Sequence, residues 1–389
     1  MTAATAVSGL SEATVFAGVD SLLSKSLIHR HADIGEARFG MLETLREYAL
    51  EQLDAAGERE EAIRCYTAFF CRLAEECEPH LTRETQHVTM QTLSRELDNI
   101  RHALVHALEA DDPDPGLVLT GCIWRFWESS GHLTEPIRWM EALLASKQAS
   151  DPARAKGLTG LAGLAYWQGD YAKALCRYDD ALDIYRRLGD RLGEADTLYG
   201  MSLSAAWTGD VAAGERLANE ARSAFEEIGA RKGVGEVSMA QAFMCHRRGE
   251  HAAARPLWEE SMAISRQLEN HTLAATQLMG IAICAFHDGE TEEALRISID
   301  VLDEVTDQEN VPIASWFLAF IAAFAVSVAP EEAVRLAGAV ESLQAAAGGG
   351  MELEPLEIED ARTMASRVLD PEDLERAWEE GRAMAMEQA

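Results

Sequence analysis

The chain has 389 residues and a formal net charge of −32, from 66 acidic and 34 basic side chains, so most of its surface repels nucleic acid and anionic membranes. Its seven cysteines are odd in number and form no CxxC pair, which argues against a disulfide framework or a zinc site and fits cytosolic thiols. No apolar run approaches the ~18 residues of a membrane span, and Met1 to Thr14 lack the basic and apolar regions of a signal peptide, so a cytoplasmic protein is expected.

Residues 10–56, within a first domain expected at 1–57, differ in texture from the rest. A short helix ends at Leu22-Leu23. Ser26 to Arg30 reads as a strand, Asp33 to Glu36 as a turn, and Arg38 to Leu42 as a returning strand. A helix from about Thr44 to Ala55 stops at Gly57. This order is the tail of a winged-helix module. Its basic residues, Lys25, His29, Arg30, His31 and Arg38, are few and offset by nearby acids.

Residues 58–150 read as a helical adaptor. His102 and His106 share one helix face, but Ala103 stands where a zinc-enzyme motif needs Glu. Asp111 to Gly116 reads as a plain loop, because two prolines interrupt its aspartates and no trailing ligand pattern follows. The aromatic block Trp124-Arg125-Phe126-Trp127 is expected to seal a junction between modules rather than to cage a ligand.

Residues 151–330 carry a repeat. A Gly-acid pair recurs at one constant step of forty positions, at Gly169-Asp170, Gly209-Asp210, Gly249-Glu250 and Gly289-Glu290. A fixed period of this size marks stacked repeats. Small residues hold fixed offsets from each Gly. Ala162, Ser202, Ala242 and Ala282 stand before it, with Ala165, Ala205, Cys245 and Ala285. Ala174, Gly214, Ala254 and Ala294 stand after it, with Ala181, Ala221, Ser261 and Val301. Such columns let two helices approach closely, and the Gly suits a helix C-terminus. A weaker fifth unit is expected at Pro330 to Ala333, and an earlier one at Trp127 to His132 with Trp139 and Ala142. The apolar segment Trp316 to Val328 reads as a buried helix. Residues 331–389 form a C-terminal helical cap, with Gly348-Gly349-Gly350 as a flexible break.

The copy Leu161 to Leu175, with Tyr178 and Ala181, looks like the tetratricopeptide repeat (TPR). The family's step from Ala to a ring appears at Ala174/Tyr178 and Ala254/Trp258, and fails at Gly214/Ala218 and Ala294/Ser298. The period exceeds the family's usual ~34, so the extra residues lengthen a helix or a loop. The expected fold is therefore all-α: a TPR-like right-handed superhelix led by a winged-helix remnant with a β-hairpin.

Three phrases resemble the C-terminal region of actinobacterial STAND-type (NB-ARC/LuxR-type) transcriptional regulators. They are Val19 to Ile28 followed by Arg38 to Ala49, then Glu96 to Leu104, then Leu374 to Met384. The chain departs from that family in showing no GxxxxGK[ST] loop to cradle phosphates and no helix-turn-helix segment after Met384. The resemblance implies the sensor and scaffold part of such a regulator, without its ATPase domain or DNA reader.

No G-x-S-x-G elbow and no Cys–His nucleophile motif appears, so no enzyme activity, catalytic residue, cofactor or metal is expected. The expected function is recognition of a peptide, protein segment or small effector; the alternative is DNA contact through the winged-helix remnant, residues 10–56. The repeat register selects the candidate groove residues. Two positions before each Gly stand Trp167, Trp207, Arg247 and His287. Six before stand Gly163, Leu203, Phe243 and Ile283. These offsets share a helix face, which by family resemblance lines the groove. With His246 beside them, the expected site is Trp167, Trp207, Phe243, His246, Arg247 and His287. The tryptophans supply apolar contact and the cationic end meets an anionic group. The charge makes nucleic acid an unlikely partner, and a homo-oligomer is left open.

Overall fold

The computed structural model describes residues 2–31, 38–81, 86–130, 133–306, 311–346 and 358–384. The expected turn at Asp33 to Glu36, the residues Gly131 and His132, and the break at Gly348 to Gly350 lie outside them. The chain divides into two units, Met1–Asp190 and Arg191–Ala389. The division falls inside the 151–330 array, after its first repeat.

The first unit opens with α1 (Thr2–Ser8), α2 (Glu12–Ser24), β1 (His29–His31), β2 (Arg38–Gly40) and α3 (Glu43–Ala56). The hairpin is antiparallel, with His29 opposite Gly40 and His31 opposite Arg38. Its first strand is shorter and later than the expected Ser26 to Arg30. The physical reason is Ser26, whose φ of 56° takes the chain through a left-handed turn before any strand can start.

Next come α4 (Arg59–Cys77), a short 3₁₀ turn (Glu78–His80), α5 (Gln86–Glu109), α6 (Pro113–Cys122), α7 (Trp124–Ser129) and α8 (Thr134–Leu144). The expected loop at Asp111 to Gly116 is therefore cut short. Pro113 occupies the first turn of α6, where its missing N–H costs nothing and its fixed φ favours a helix. Phe70, Leu93, Ile100, Leu104, Leu117 and Trp127 fill the core of this region. The aromatic block is mainly structural: Phe126 and Trp127 are buried. The Trp124 ring lies against Gly163, where an added Cβ would meet it at 2.8 Å. The first repeat pair, α9 (Asp151–Trp167) and α10 (Tyr171–Leu188), completes the unit.

The second unit holds the pairs α11 (Arg191–Trp207) with α12 (Val211–Glu227), α13 (Arg231–Arg247) with α14 (His251–Gln267), and α15 (His271–His287) with α16 (Thr291–Thr306). A further pair follows, α17 (Val311–Ala325) with α18 (Pro330–Ala346), then α19 (Ala361–Ala365) and α20 (Pro371–Arg382). The pair α17 and α18 stands where the weaker fifth unit is expected, and Phe317, Phe320 and Phe324 of α17 are fully buried.

Every repeat turn has the same construction. Gly169, Gly209, Gly249 and Gly289 all have positive φ, from 72° to 95°. In each, the Gly N–H donates to the carbonyl three residues back, and the next N–H donates to the carbonyl five back: Ala165, Ala205, Cys245 and Ala285. This is the Schellman arrangement, which satisfies carbonyls that the helix end leaves bare. Asp170 and Asp210 then cap the following helices by accepting from the Lys173 and Ala213 amides. Only three residues separate α11 from α12 and α12 from α13. The residues beyond the usual TPR length therefore lie in the helices and not in loops.

The small columns are buried throughout. Ala162, Ser202, Ala242, Ala282, Ala174, Ala254 and Ala294 have no exposed surface. At Gly214 an added Cβ would meet the Ser202 carbonyl oxygen at 2.8 Å, so the backbones of α11 and α12 are in near contact there. The position four residues beyond the Ala174 column varies by compensation. Trp258 fits because the facing residue of α15 is Gly280, where a Cβ would meet the ring at 2.6 Å.

Candidate functional site

The end of α11 and the last turns of α13 bring three of the candidate residues together. The Trp207 and Phe243 rings lie 5.4 Å apart, tilted by 39°. The Arg247 guanidinium carbon lies 5.1 Å from the centre of the Trp207 ring, within cation–π range. All three side chains are half-buried. One guanidinium nitrogen of Arg247, Nη1, is fully buried without a hydrogen-bond partner among the described residues. Helical spacing explains the row: Phe243 and Arg247 are four apart on one face of α13, and Trp207 holds the Arg247 offset one repeat earlier.

The other candidates are placed differently. Trp167 belongs to the first unit and is 53% exposed, with its ring edge-on to Tyr166. His246 is 2% exposed and lies against His251 and His287 rather than in the aromatic row. His287, at the end of α15, is half-buried and stacks on His251. Two further positions on the face that the register selects are closed: Gly163 is covered by Trp124, and Ile283 is buried.

Ion pairs tie neighbouring helices of this unit together. Arg248 is paired with Glu215 and, at 2.5 Å, with Glu250; its hydrogen bond holds the Glu250 carboxyl below the usual range. Arg222 reaches both oxygens of Glu260 at 2.6 and 2.7 Å, and Ser238 donates to the same carboxylate. The Arg222 hydrogen bond holds the Glu260 carboxyl below its ordinary value. Burial pushes the Cys284 thiol up to about 12 and raises Cys245 as well, so neither is a thiolate at neutral pH.

Two features escape the sequence reading. One is the cluster His246, His251 and His287, whose nearest nitrogens all lie within 4.8 Å of one another. The other is an open recess of about 510 Å³ in the first unit, between α8, α9 and α10. Leu144, Leu158, Leu161 and Ile184 form its apolar wall, with Arg154 and Arg177 beside Glu141 and Asp180. Arg154 is committed to the carbonyls of Leu144 and Ser146.

The remaining sequence candidates are engaged. Arg38 of the hairpin donates to Glu96 at 2.6 Å and to the Arg95 carbonyl at 2.8 Å. His102 Nε2 contacts Arg46 at 3.0 Å, and His106 Nδ1 faces Glu109 at 3.6 Å. Burial lowers the His106 pKa.

No protein-family model matches the chain. Proteins named as HTH-type transcriptional regulators in Mycobacterium tuberculosis and Mycobacterium bovis are 27% identical over 175 residues. That match covers 43% of this chain and 20% of theirs, so the matched stretch spans about a fifth of those regulators. Among solved structures, a STAND protein with a tetratricopeptide repeat sensor from Pyrococcus horikoshii matches 97% of this chain and 60% of its own, at 14% identity and a TM-score of 0.55. NprR in complex with its cognate peptide NprX matches 80% of this chain and 88% of its own, at 15% identity and a TM-score of 0.52. The fold is thus an all-α, TPR-like helical repeat, and the chain is weakly similar in sequence to transcriptional regulators.

Proposed function

We propose that the chain is a non-catalytic TPR-type recognition module, the sensor and scaffold part of a STAND-like transcriptional regulator, and that it binds a peptide or protein segment carrying an anionic group beside apolar residues. The observation that carries this reading is Arg247. Its guanidinium is half-buried over Trp207 with a hydrogen-bonding nitrogen left unused among the described residues. A buried donor without an acceptor costs about 1–3 kcal/mol, and an incoming carboxylate would remove that cost. Trp207 and Phe243 offer rigid apolar area beside it. The fold neighbours support the reading by analogy, since one of them, NprR, is in complex with a peptide.

The test is a selection from a random peptide library on the immobilised chain, followed by calorimetry of the enriched peptides. Enriched sequences should combine a carboxylate with apolar residues. Arg247→Ala should weaken their binding by about 1.5–3 kcal/mol without lowering the melting temperature. A selection that enriches nothing over bare matrix refutes the reading, as does wild-type affinity in both Arg247→Ala and Trp207→Ala.

A further inference from the structure

Three histidines meet at one boundary of the array. His246 lies in the last turn of α13, His251 is the first residue of α14, and His287 is the last residue of α15. The His246 and His251 Nδ1 atoms are 3.2 Å apart. Both rings approach His287, at centroid distances of 5.2 and 4.4 Å. One nitrogen from each ring falls within a 4.8 Å set.

Packing does not require histidine at these places. The repeat offset of His246 is held by Tyr166, Ala206 and Phe286 in the other copies, and that of His251 by Tyr171, Val211 and Thr291. In the first copy the two tyrosine rings fill the space, 5.5 Å apart; in the second, Ala206 and Val211 stand there. The same turn is built each time, with the same hydrogen bonds. Three imidazoles at a joint that Ala and Val can close are thus an addition to the repeat and not a part of it.

We propose that His246, His251 and His287 bind a divalent transition metal ion of the zinc class, with a fourth coordination position left open. Imidazole nitrogens suit zinc, nickel and copper, whereas calcium and magnesium take oxygen ligands. Tetrahedral zinc with bonds of about 2.0–2.1 Å sets its ligand nitrogens about 3.3 Å apart. The His246–His251 pair already has that spacing. At this distance one Nδ1–H donates to the other Nδ1, and metal binding at both would leave that ring's proton on Nε2. His251 and His287 are half-buried, and their rings stack within 6° of parallel at 4.4 Å, so both rings must turn out of the stack to direct one nitrogen each at a shared ion.

The local field suits a cation. His246 and His287 sit at the C-terminal ends of two helices, where the backbone carbonyls point outward, against one helix N-terminus at His251. Of the two arginines beside His246 in the chain, Arg248 is neutralised by Glu215 and Glu250, whereas Arg247 is directed over the Trp207 ring and keeps its charge. The proposal does not rest on the peptide reading, and the ion would tie α13, α14 and α15 together whatever the row beside it binds.

The experiment uses the full chain and Co²⁺ as a spectroscopic probe, with Zn²⁺ as competitor. One Co²⁺ per chain should bind with the visible ligand-field bands of a nitrogen-rich, four-coordinate site, and one Zn²⁺ should displace it. His251→Val and His246→Ala install the residues of the preceding repeat, and each should weaken Co²⁺ at least tenfold. His87→Ala, at an exposed position of α5, should leave it unchanged. Zn²⁺ should also raise the melting temperature of the wild-type chain and not that of the double variant. Far-UV circular dichroism keeps the result interpretable: His251→Val must stay as helical as the wild type, because Val211 fills the same position. Binding that is unchanged in a folded His251→Val chain, or matched by Ca²⁺, overturns the proposal, as does a Zn²⁺-induced melting shift equal in the double variant.

Discussion

Replacing Glu269 by Gly should stabilise the second unit. The second helices of the array end as the first ones do. Gly189 and Gly229 both stand at a φ of 69°, and at the third equivalent position Glu269 is held at 56°. The hydrogen bonds are the same: the Glu269 amide donates to the Arg266 carbonyl and the Asn270 amide to that of Ser265. Glu269 thus bears the steric penalty of a left-handed Cβ, about 1–2 kcal/mol, where its counterparts do not. Its exposed carboxylate makes no hydrogen bond or ion pair among the described residues. Against this, glycine costs about 0.5–1 kcal/mol through the larger freedom of the unfolded chain. The net gain is about 0.5–1 kcal/mol, or roughly 1–4 °C in Tm for a unit of this size. Thermal melts of Glu269→Gly and Glu269→Ala decide the matter, because alanine removes the charge but keeps the Cβ. A lower Tm for the glycine variant, or an equal rise for both, refutes the argument.

Enlarging the closed columns should cost more than surface changes: Ala205→Leu should overpack the α11–α12 contact by roughly 1–3 kcal/mol, while Glu226→Gln should be near neutral by urea melts; equal losses would mean the register is wrong. The C-terminal cap should be sensitive to one methyl group. Gly381 of α20 packs so closely on α18 that an added Cβ would collide with the Arg335 carbonyl, and Gly338 answers it with a Cβ position 2.5 Å from the Trp378 carbonyl. Gly381→Ala should therefore cost about 1–3 kcal/mol and raise amide exchange in α18 and α20 alone; unchanged exchange there would contradict it. Acid should loosen the array partly through Glu260. Its folded pKa is depressed, so its contribution is full above the ordinary carboxylate value of about 4.3 and is lost as pH falls through the lower folded value. Glu260→Gln should then show a shallower fall of Tm with pH below about 4, and parallel curves would remove Glu260 from the account.

What the sequence discloses follows from how local each constraint is. The four repeat glycines are legible because a left-handed helix end selects Gly within a few residues of itself. The small columns are legible because near contact of two backbones excludes larger side chains wherever it recurs. The half-step, one helix and its turn, is hidden by a single residue: Gly189 and Gly229 obey it, and Glu269 adopts the same geometry without the glycine. The strand expected at Ser26 is misplaced for a similar reason, since Ser gives no warning of a positive φ. The candidate site is legible only in part. Phe243 and Arg247 are neighbours on one helix face and so can be read from spacing. Of the three histidines, the register names His246 and His287 but neither His251 nor the meeting of all three: a tight turn brings His246 and His251 together, and the stacking of the next repeat, a full period further along the chain, brings His287. Only a comparison of repeat offsets, where Ala206 and Val211 stand in for two of them, marks them as unusual.

The uniform turn also sets a rule for how such a chain can change length. Because helix ends of like geometry recur at every half-step of the repeat, deleting one helix with its turn would leave every surviving turn intact. It would nonetheless fail, for a reason of parity. The first helix of each pair carries the Ala162-type column and the aromatic row; the second carries the Ala174-type column that closes on it. Removing one helix sets a first-type helix where a second-type one belongs, and each column then faces its own kind. A whole pair is the smallest step that keeps both the turns and the alternation. Descent from such an array should therefore show gains and losses in whole pairs, with the odd helix confined to its ends.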